Sequence, residues 1–212
     1  KVYIVSLPLF LAIIQELLSP DGFPPPSSFN EALLFLLPKK PSSTSAALGP
    51  AYTPGNTRPL SVVNTDNRII ASILNNTLSG FAARFCLPEQ RGFLKGRYIT
   101  SNVLDIDSAI HRAIRSHPNG AMVLFDFQAA FPSISHEYMW AVLNHIGVPQ
   151  NFIKAIQKLY TNNTHQLVLG PHLFPSLTVQ SGVRQGCPLS PTLFVLCLDM
   201  LLQFLIEFRF ER

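Results

Sequence analysis

Val123-Leu-Phe-Asp-Phe-Gln-Ala-Ala-Phe-Pro-Ser-Ile-Ser-His136 is the stretch on which the fold of this 212-residue chain turns. Side chains alternate along an extended backbone, so a strand over residues 121–127 puts Met122, Leu124 and Asp126 on one face and Val123, Phe125 and Phe127 on the other. Apolar residues on both faces predict a buried strand, opened by the Asn119-Gly120 turn and delivering one carboxylate, Asp126, at its end. Phe131 follows five residues after that carboxylate. Farther along, Gly182-Val-Arg-Gln-Gly-Cys-Pro-Leu-Ser-Pro191 reads as a glycine- and proline-punctuated loop running into an apolar helix.

Working outward toward the C-terminus, residues 135–146 and 151–160 read as two helices separated by Gly147 and Pro149. A hairpin is expected from 165–169 and 173–180 across Gly170-Pro171-His172. The last helix, 192–208, takes Ser190 as its cap and Pro191 in its first turn. Asp199, Gln203 and Glu207 recur every four positions in it, which predicts one narrow wet stripe on an otherwise covered core helix.

Toward the N-terminus, a helix after Gly96-Arg97 carries Val103, Ile106, Ile110, Ala113 and Ile114 on one face, with Asn102 and Asp105 as its capping pair. Another, over 66–78, carries Ile69, Ile70, Ile73 and Leu74. Residues 58–63 can form a strand only at a sheet edge, because Pro59 has no N–H to give a ladder. Residues 41–57 have no apolar period and are expected to be a loop, whereas 31–37 read as a buried strand ending in Pro38-Lys39-Lys40. The turn-rich linker 19–28 follows an almost wholly apolar run over 2–14, expected to be an ordinary buried helix; it lacks a signal-peptide cleavage pattern and is too short for a bilayer, which needs roughly 20 residues. Irregular alternation of helices and strands gives an α+β fold, with helices packed on a mainly antiparallel sheet.

Composition narrows the partners. Apolar residues make up 47% of the chain and charged residues only 13%, about half of the roughly 25% usual in soluble domains, as in a piece whose apolar faces meet other segments. Net charge is +4, and much of the excess lies in one region, where Arg58, Arg68, Arg84, Arg91, Lys95 and Arg97 face only Asp66 and Glu89. That distribution suits a phosphate-bearing partner as well as a solvated basic face. Cys86, Cys187 and Cys197 are odd in number and widely spaced, which points away from a disulfide framework or zinc site and toward a reducing compartment.

The two quoted stretches resemble motifs of reverse transcriptases, and Arg184-Gln-Gly-Cys-Pro-Leu-Ser-Pro191 resembles the version in retrotransposons without long terminal repeats; intron maturases favour a second glycine where Cys187 stands. Pro38-Lys-Lys40, Thr57-Arg-Pro-Leu-Ser61, Asn64-Thr-Asp66 and Glu89-Gln-Arg-Gly-Phe-Leu-Lys-Gly-Arg97 occur in the order seen in the fingers of that family. The family pattern has a second aspartate just after the aromatic residue, where this chain has Pro132.

That resemblance implies a right-hand polymerase fold: an N-terminal helix and linker over 1–28, a fingers-like region over 29–120, and part of a palm over 121–212. It implies RNA-directed DNA synthesis with magnesium, deoxynucleoside triphosphates, an RNA template and a DNA primer, and no membrane. Asp126, with the backbone carbonyl of Phe127, would bind metal, because hard cations take oxygen ligands on rigid backbone. Arg58 would meet the triphosphate through its guanidinium fork, and Phe127, Phe131, Gln185 and Gly186 would touch the incoming nucleotide, Phe131 lying under its sugar. Lys39, Lys40, Arg91 and Arg97 are candidates for template or nucleotide phosphates.

No aromatic-x-Asp-Asp hairpin occurs in the sequence, so the rest of the palm, the thumb and further carboxylates are expected elsewhere in a longer polypeptide acting in nucleus or cytoplasm. Two alternatives stay open: a catalytically dead nucleic-acid-binding remnant, and an intron maturase. Each residue also has a plainer reading. Asp126 can cap a turn, Phe131 can be one core phenylalanine among sixteen, and a lone surface cation is commonly only solvated.

Overall fold

A computed structural model describes residues 2–47, 49–116 and 119–210, with the side chains of 2–5 and 208–210 excepted. The order of elements is α1 (Val2–Leu18), β1 (Ala32–Pro38), β2 (Ser43–Ser45), β3 (Gly49–Ala51), β4 (Thr57–Val63), α2 (Thr65–Phe85), α3 (Ile99–Ser116), α4 (Ala130–Ser133), α5 (His136–His145), α6 (Gln150–Tyr160), β5 (Thr164–Leu169), β6 (His172–Thr178) and α7 (Ser190–Phe210). The α+β class holds. One four-stranded mixed sheet runs β4-β1-β5-β6, with β1 antiparallel to β4 and parallel to β5, and β5 antiparallel to β6. The strand containing Pro59 lies at the edge, as its missing N–H requires, and Pro59 stands opposite Leu36.

The core is mostly helix against helix. Ile70, Leu74 and Leu78 of α2 meet Met139 and Leu143 of α5, Ile156 and Leu159 of α6, and Leu193 and Leu196 of α7. Each set recurs at three- and four-residue spacing, the apolar stripe by which an amphipathic helix seats on its neighbours. Ser135 caps α5, its hydroxyl accepting from the Tyr138 N–H at 3.2 Å.

Several expectations need correction. The segment 121–127 forms no strand: no described strand runs beside it, and its side chains face solvent, Leu124 at 74% and Phe125 at 86% exposure. A strand exists only through its ladder partners, so apolar alternation marked the segment's propensity and not its pairing. The long loop over 41–57 contains the small antiparallel β2–β3 ladder. Helix α1 is covered on one face only, with Leu17 in the core and Leu7, Leu9 and Leu11 exposed, because α6 is the helix it packs on. Lys158 of α6 fixes that contact by donating to the carbonyls of Glu16, Leu17 and Ser19 at the end of α1.

Helix α3 forms as its periodicity predicts, yet none of its residues is buried. Asn102 and Asp105 are not its caps. They lie inside the helix, where Asn102 donates to the Glu89 carbonyl and Asp105 pairs with Arg91. In α7 the expected wet stripe begins with a fully buried residue, since Asp199 accepts from the Leu87 N–H at 3.1 Å and from Gln203 at 2.7 Å. By length and composition α7 alone among the described helices is apolar enough to cross a membrane, but Leu193, Val195, Leu196 and Cys197 are packed inside the protein, which makes this half a core helix.

Candidate active site

Three sequence motifs that are far apart in the chain meet at one point. Ala129 takes a left-handed backbone (φ +51°) that turns the chain into α4, the short helix carrying Phe131. The loop after β6 then lies directly on this turn: Gly182 N–H donates to Ile134 O at 2.6 Å, Val183 N–H to Phe131 O at 2.9 Å, and Ser135 bridges to Ser181. The ring of His136 adds a bond to the Gly182 carbonyl at 2.9 Å. On its other side the same loop meets the sheet edge, where Ser61 N–H of β4 donates to Gln185 O at 2.9 Å.

Both glycines serve these backbone contacts. A Cβ on Gly182 (φ +81°) would stand 2.6 Å from Pro132 Cα and 2.9 Å from Phe131 O, and one on Gly186 (φ +107°) would stand 2.5 Å from Ser61 O. At both positions the close approach is to protein backbone.

Between the motifs lies a cavity of about 180 Å³ bordered by Pro59, Ser61, Pro132, His165, Arg184 and Gln185. Arg58 is exposed on β4, next in sequence to Pro59 but on the opposite face of the sheet, and its register partner Leu37 places Lys39 and Lys40, also exposed, at the same end of the sheet. A second, apolar cavity of about 510 Å³ lies between α5 and α7, with Phe127, Ile134, Tyr138, Phe194 and Leu198 on its walls. Phe131 is half-buried. Its ring sits 4.6 Å from that of Phe194 and edge-on to that of Phe93 at 6.2 Å. Asp126 and Phe127 are exposed on the unpaired segment, and no group of three metal-ligating side chains occurs among the described residues.

One predicted phosphate contact is engaged inside the protein. Arg97 donates to the carbonyls of Ala83 and Cys86 at the C-terminal end of α2 and to those of Leu87 and Gln90 in the turn after it. A guanidinium engaged in this way has few donors left for a nucleic acid. Arg91 is paired through one nitrogen with the exposed Asp105 of α3 at 2.7 Å. Of the predicted basic contacts, Arg58, Lys39 and Lys40 remain on the open surface.

Arg184 was not singled out from sequence. It is only 2% exposed, donates to Leu159 O at 3.1 Å and lies over the Tyr160 ring at 5.3 Å. Burial, then the nearby Arg184 charge, pushes the His165 pKa down to about 4, and burial pushes the Tyr160 hydroxyl up. Burial, then Asp199, raises the Cys86 thiol to about 12, and burial raises Cys197 to about 12. An arginine between valine and glutamine in a glycine loop carries no signal of burial, so this role was not readable beforehand.

Known proteins match the chain along most of its length. A family described as reverse transcriptase (RNA-dependent DNA polymerase) matches residues 37–210. The transposon TX1 uncharacterized 149 kDa protein of Xenopus laevis is 31% identical over 174 residues, covering 82% of this chain and 13% of that protein. The Pol polyprotein from the type-2 retrotransposable element R2DM of Drosophila melanogaster is 30% identical, over 73% of this chain and 14% of the relative. A Pol polyprotein from the type-1 element R2 of Popillia japonica is 30% identical over 73% of this chain and 22% of its own length. This chain thus spans less than a quarter of each of these relatives. With three ordered motifs converging on one loop and a match that runs from β1 through α7, the chain belongs to the reverse transcriptase family.

Proposed function

We propose that this chain is the fingers and part of the palm of an RNA-directed DNA polymerase from a retrotransposon without long terminal repeats. The observation that carries the reading is the convergence of the Phe131 turn and Ser61 on the loop that carries Gln185. The proposed parts are an N-terminal helix and linker over 1–28, fingers over 29–120 and partial palm over 121–212. Arg58 would hold the triphosphate, Gln185 and Gly186 the incoming nucleotide, Phe127 and Phe131 its sugar, and Lys39 and Lys40 phosphates of an RNA template or DNA primer. Arg97 is left out of this set because its guanidinium is bound to four backbone carbonyls, whereas Arg91, paired through one nitrogen with exposed Asp105, keeps donors for a phosphate.

Enzymes of this family use divalent metal ions, and magnesium is the ion proposed here. Asp126 with the Phe127 carbonyl is an incomplete donor set for it, since a pair of cations needs several oxygen ligands on rigid backbone. Other carboxylates of the same polypeptide would have to complete the centre, and residues 121–127 would have to gain strand partners to hold Asp126 still.

Primer extension by a polypeptide carrying the whole polymerase domain tests the reading. Asp126→Asn is expected to cost several kcal/mol of transition-state stabilisation, each ~1.36 kcal/mol being tenfold in rate. Phe131→Ala is expected to move the ratio of deoxynucleotide to ribonucleotide incorporation toward ribonucleotides, because the ring fills the volume a 2′-hydroxyl needs. Near-normal extension by Asp126→Asn would show that this carboxylate only caps a turn, and an unmoved ratio would leave Phe131 as a core residue against Phe194.

A further inference from the structure

We propose that Arg184 is a positioning residue that sets Gln185 against the nucleotide site by tying the loop 182–187 to the C-terminal end of α6. The inference rests on the reading of Gln185 as a nucleotide contact.

The loop is clamped on two sides by backbone bonds, to Phe131 and Ile134 on one side and to Ser61 on the other. The His136 ring adds a side-chain bond to the Gly182 carbonyl, and the Arg184 side chain is the attachment that reaches the end of α6. The guanidinium reaches the core, donating to Leu159 O with its central carbon 5.3 Å from the centre of the Tyr160 ring, and both partner residues are buried. The Arg184 carbonyl in turn accepts from Cys187 N–H at 3.3 Å, so the turn that carries Gln185 and Gly186 closes on the anchored residue itself. Gln185 comes next in the chain, with its carbonyl bound to β4 and its side chain half-exposed on the cavity wall.

Holding a guanidinium there is expensive. Among the described residues no carboxylate pairs with it, and its Nε and Nη1 have no hydrogen-bond partner. Burying an uncompensated charge costs several kcal/mol, and an apolar side chain of similar volume would fill the same space without that cost. What the apolar side chain cannot do is make a directional bond to Leu159 O and hold a cation over the Tyr160 ring at once. Lysine keeps the charge but lacks the rigid planar fork of donors that fixes the direction of a guanidinium. The geometry therefore selects orientation of the loop over stability of the core.

The test is a two-residue cycle in the complete polymerase polypeptide, with Arg184→Met, Arg184→Lys, Gln185→Ala and the double variant Arg184→Met/Gln185→Ala, read as kcat and KM for a deoxynucleotide in primer extension. Loss of one nucleotide hydrogen bond is expected to raise KM about tenfold in Gln185→Ala. Arg184→Met should match it, Arg184→Lys should fall between it and the parent, and the double variant should be no worse than Gln185→Ala. Hydrogen exchange supplies a readout free of activity: the Ser61 and Val183 amides should lose protection in Arg184→Met while the amides of α5 and α6 keep theirs. Multiplying losses in the double variant, or loss of protection throughout the helices, would show Arg184 to be a general core support and overturn the proposal. Normal KM in Arg184→Met beside an impaired Gln185→Ala would overturn it while leaving the Gln185 reading intact. A harmless Gln185→Ala would end both.

Discussion

Replacing Gly182 by alanine tests whether the two motifs are joined through backbone contact. The residue has φ +81°, where an L side chain costs about 1–2 kcal/mol. The added Cβ would also stand 2.6 Å from Pro132 Cα, 2.8 Å from Pro132 O and 2.9 Å from Phe131 O, all backbone atoms that cannot swing aside as a side chain can. Relief requires the loop to withdraw from the α4 turn. That movement stretches the Gly182–Ile134 and Val183–Phe131 bonds, at about 1 kcal/mol each. The expected loss is therefore about 3–4 kcal/mol, read as a lower midpoint at constant slope in urea unfolding of the chain. Gly147→Ala is the control. It has nearly the same φ, +80°, with no heavy atom within 4 Å of the added Cβ, so it isolates the conformational part and should cost about 1–2 kcal/mol. Gly80, inside α2 with open space around it, should gain about 0.5–1 kcal/mol as alanine. Equal losses at 182 and 147 would refute the close contact between the loop and the α4 turn.

Other outcomes follow from the same geometry. Arg97→Met should destabilise the chain by about 3 kcal/mol by leaving four backbone carbonyls at the end of α2 and in the turn after it without their donor, whereas Arg58→Met should leave the unfolding midpoint alone and flatten the salt dependence of RNA binding. His165 has its folded pKa lowered to about 4 from 6.5, so the unfolded state binds the extra proton; stability should be full above pH 6.5, fall as pH drops toward 4, and lose at most about 3 kcal/mol, a slope that His165→Gln removes in urea titrations at stepped pH. Cys86, Cys187 and Cys197 are all buried, so a thiol reagent at neutral pH should label none of them in the folded chain and all of them in denaturant; labelling of the folded chain would show that the core opens locally.

The sequence made local rules legible and left tertiary ones hidden. Pro59 located the sheet edge because a missing N–H admits few places, and the β5–β6 hairpin and α6 followed from turn residues and period. The two motifs that contain Phe131 and Gln185 were legible as motifs, and their loops do meet. Asp199 shows what stayed hidden, since a polar repeat every four residues looks the same whether it meets water or the end of another helix. Arg97 and Arg91 show the same for charge: spacing identifies a basic residue and says nothing of the carbonyls or carboxylate that already occupy it. The strand over 121–127 failed for a third reason, because alternation describes a face and only a neighbour makes a ladder.

That uncovered segment has a practical consequence for the chain in solution. From Met122 to Phe127 it presents backbone N–H and C=O groups outside any ladder, five exposed apolar side chains and a single charge at Asp126. A run of that kind is a template for any strand that comes alongside, including the same run in a second copy of the chain. Concentrating the chain by itself should therefore drive it into strand-paired aggregates whose growth is blunted by a charge placed at Val123 or Phe125, so that colloidal behaviour becomes a direct measure of whether the segment carrying Asp126 has found its neighbours.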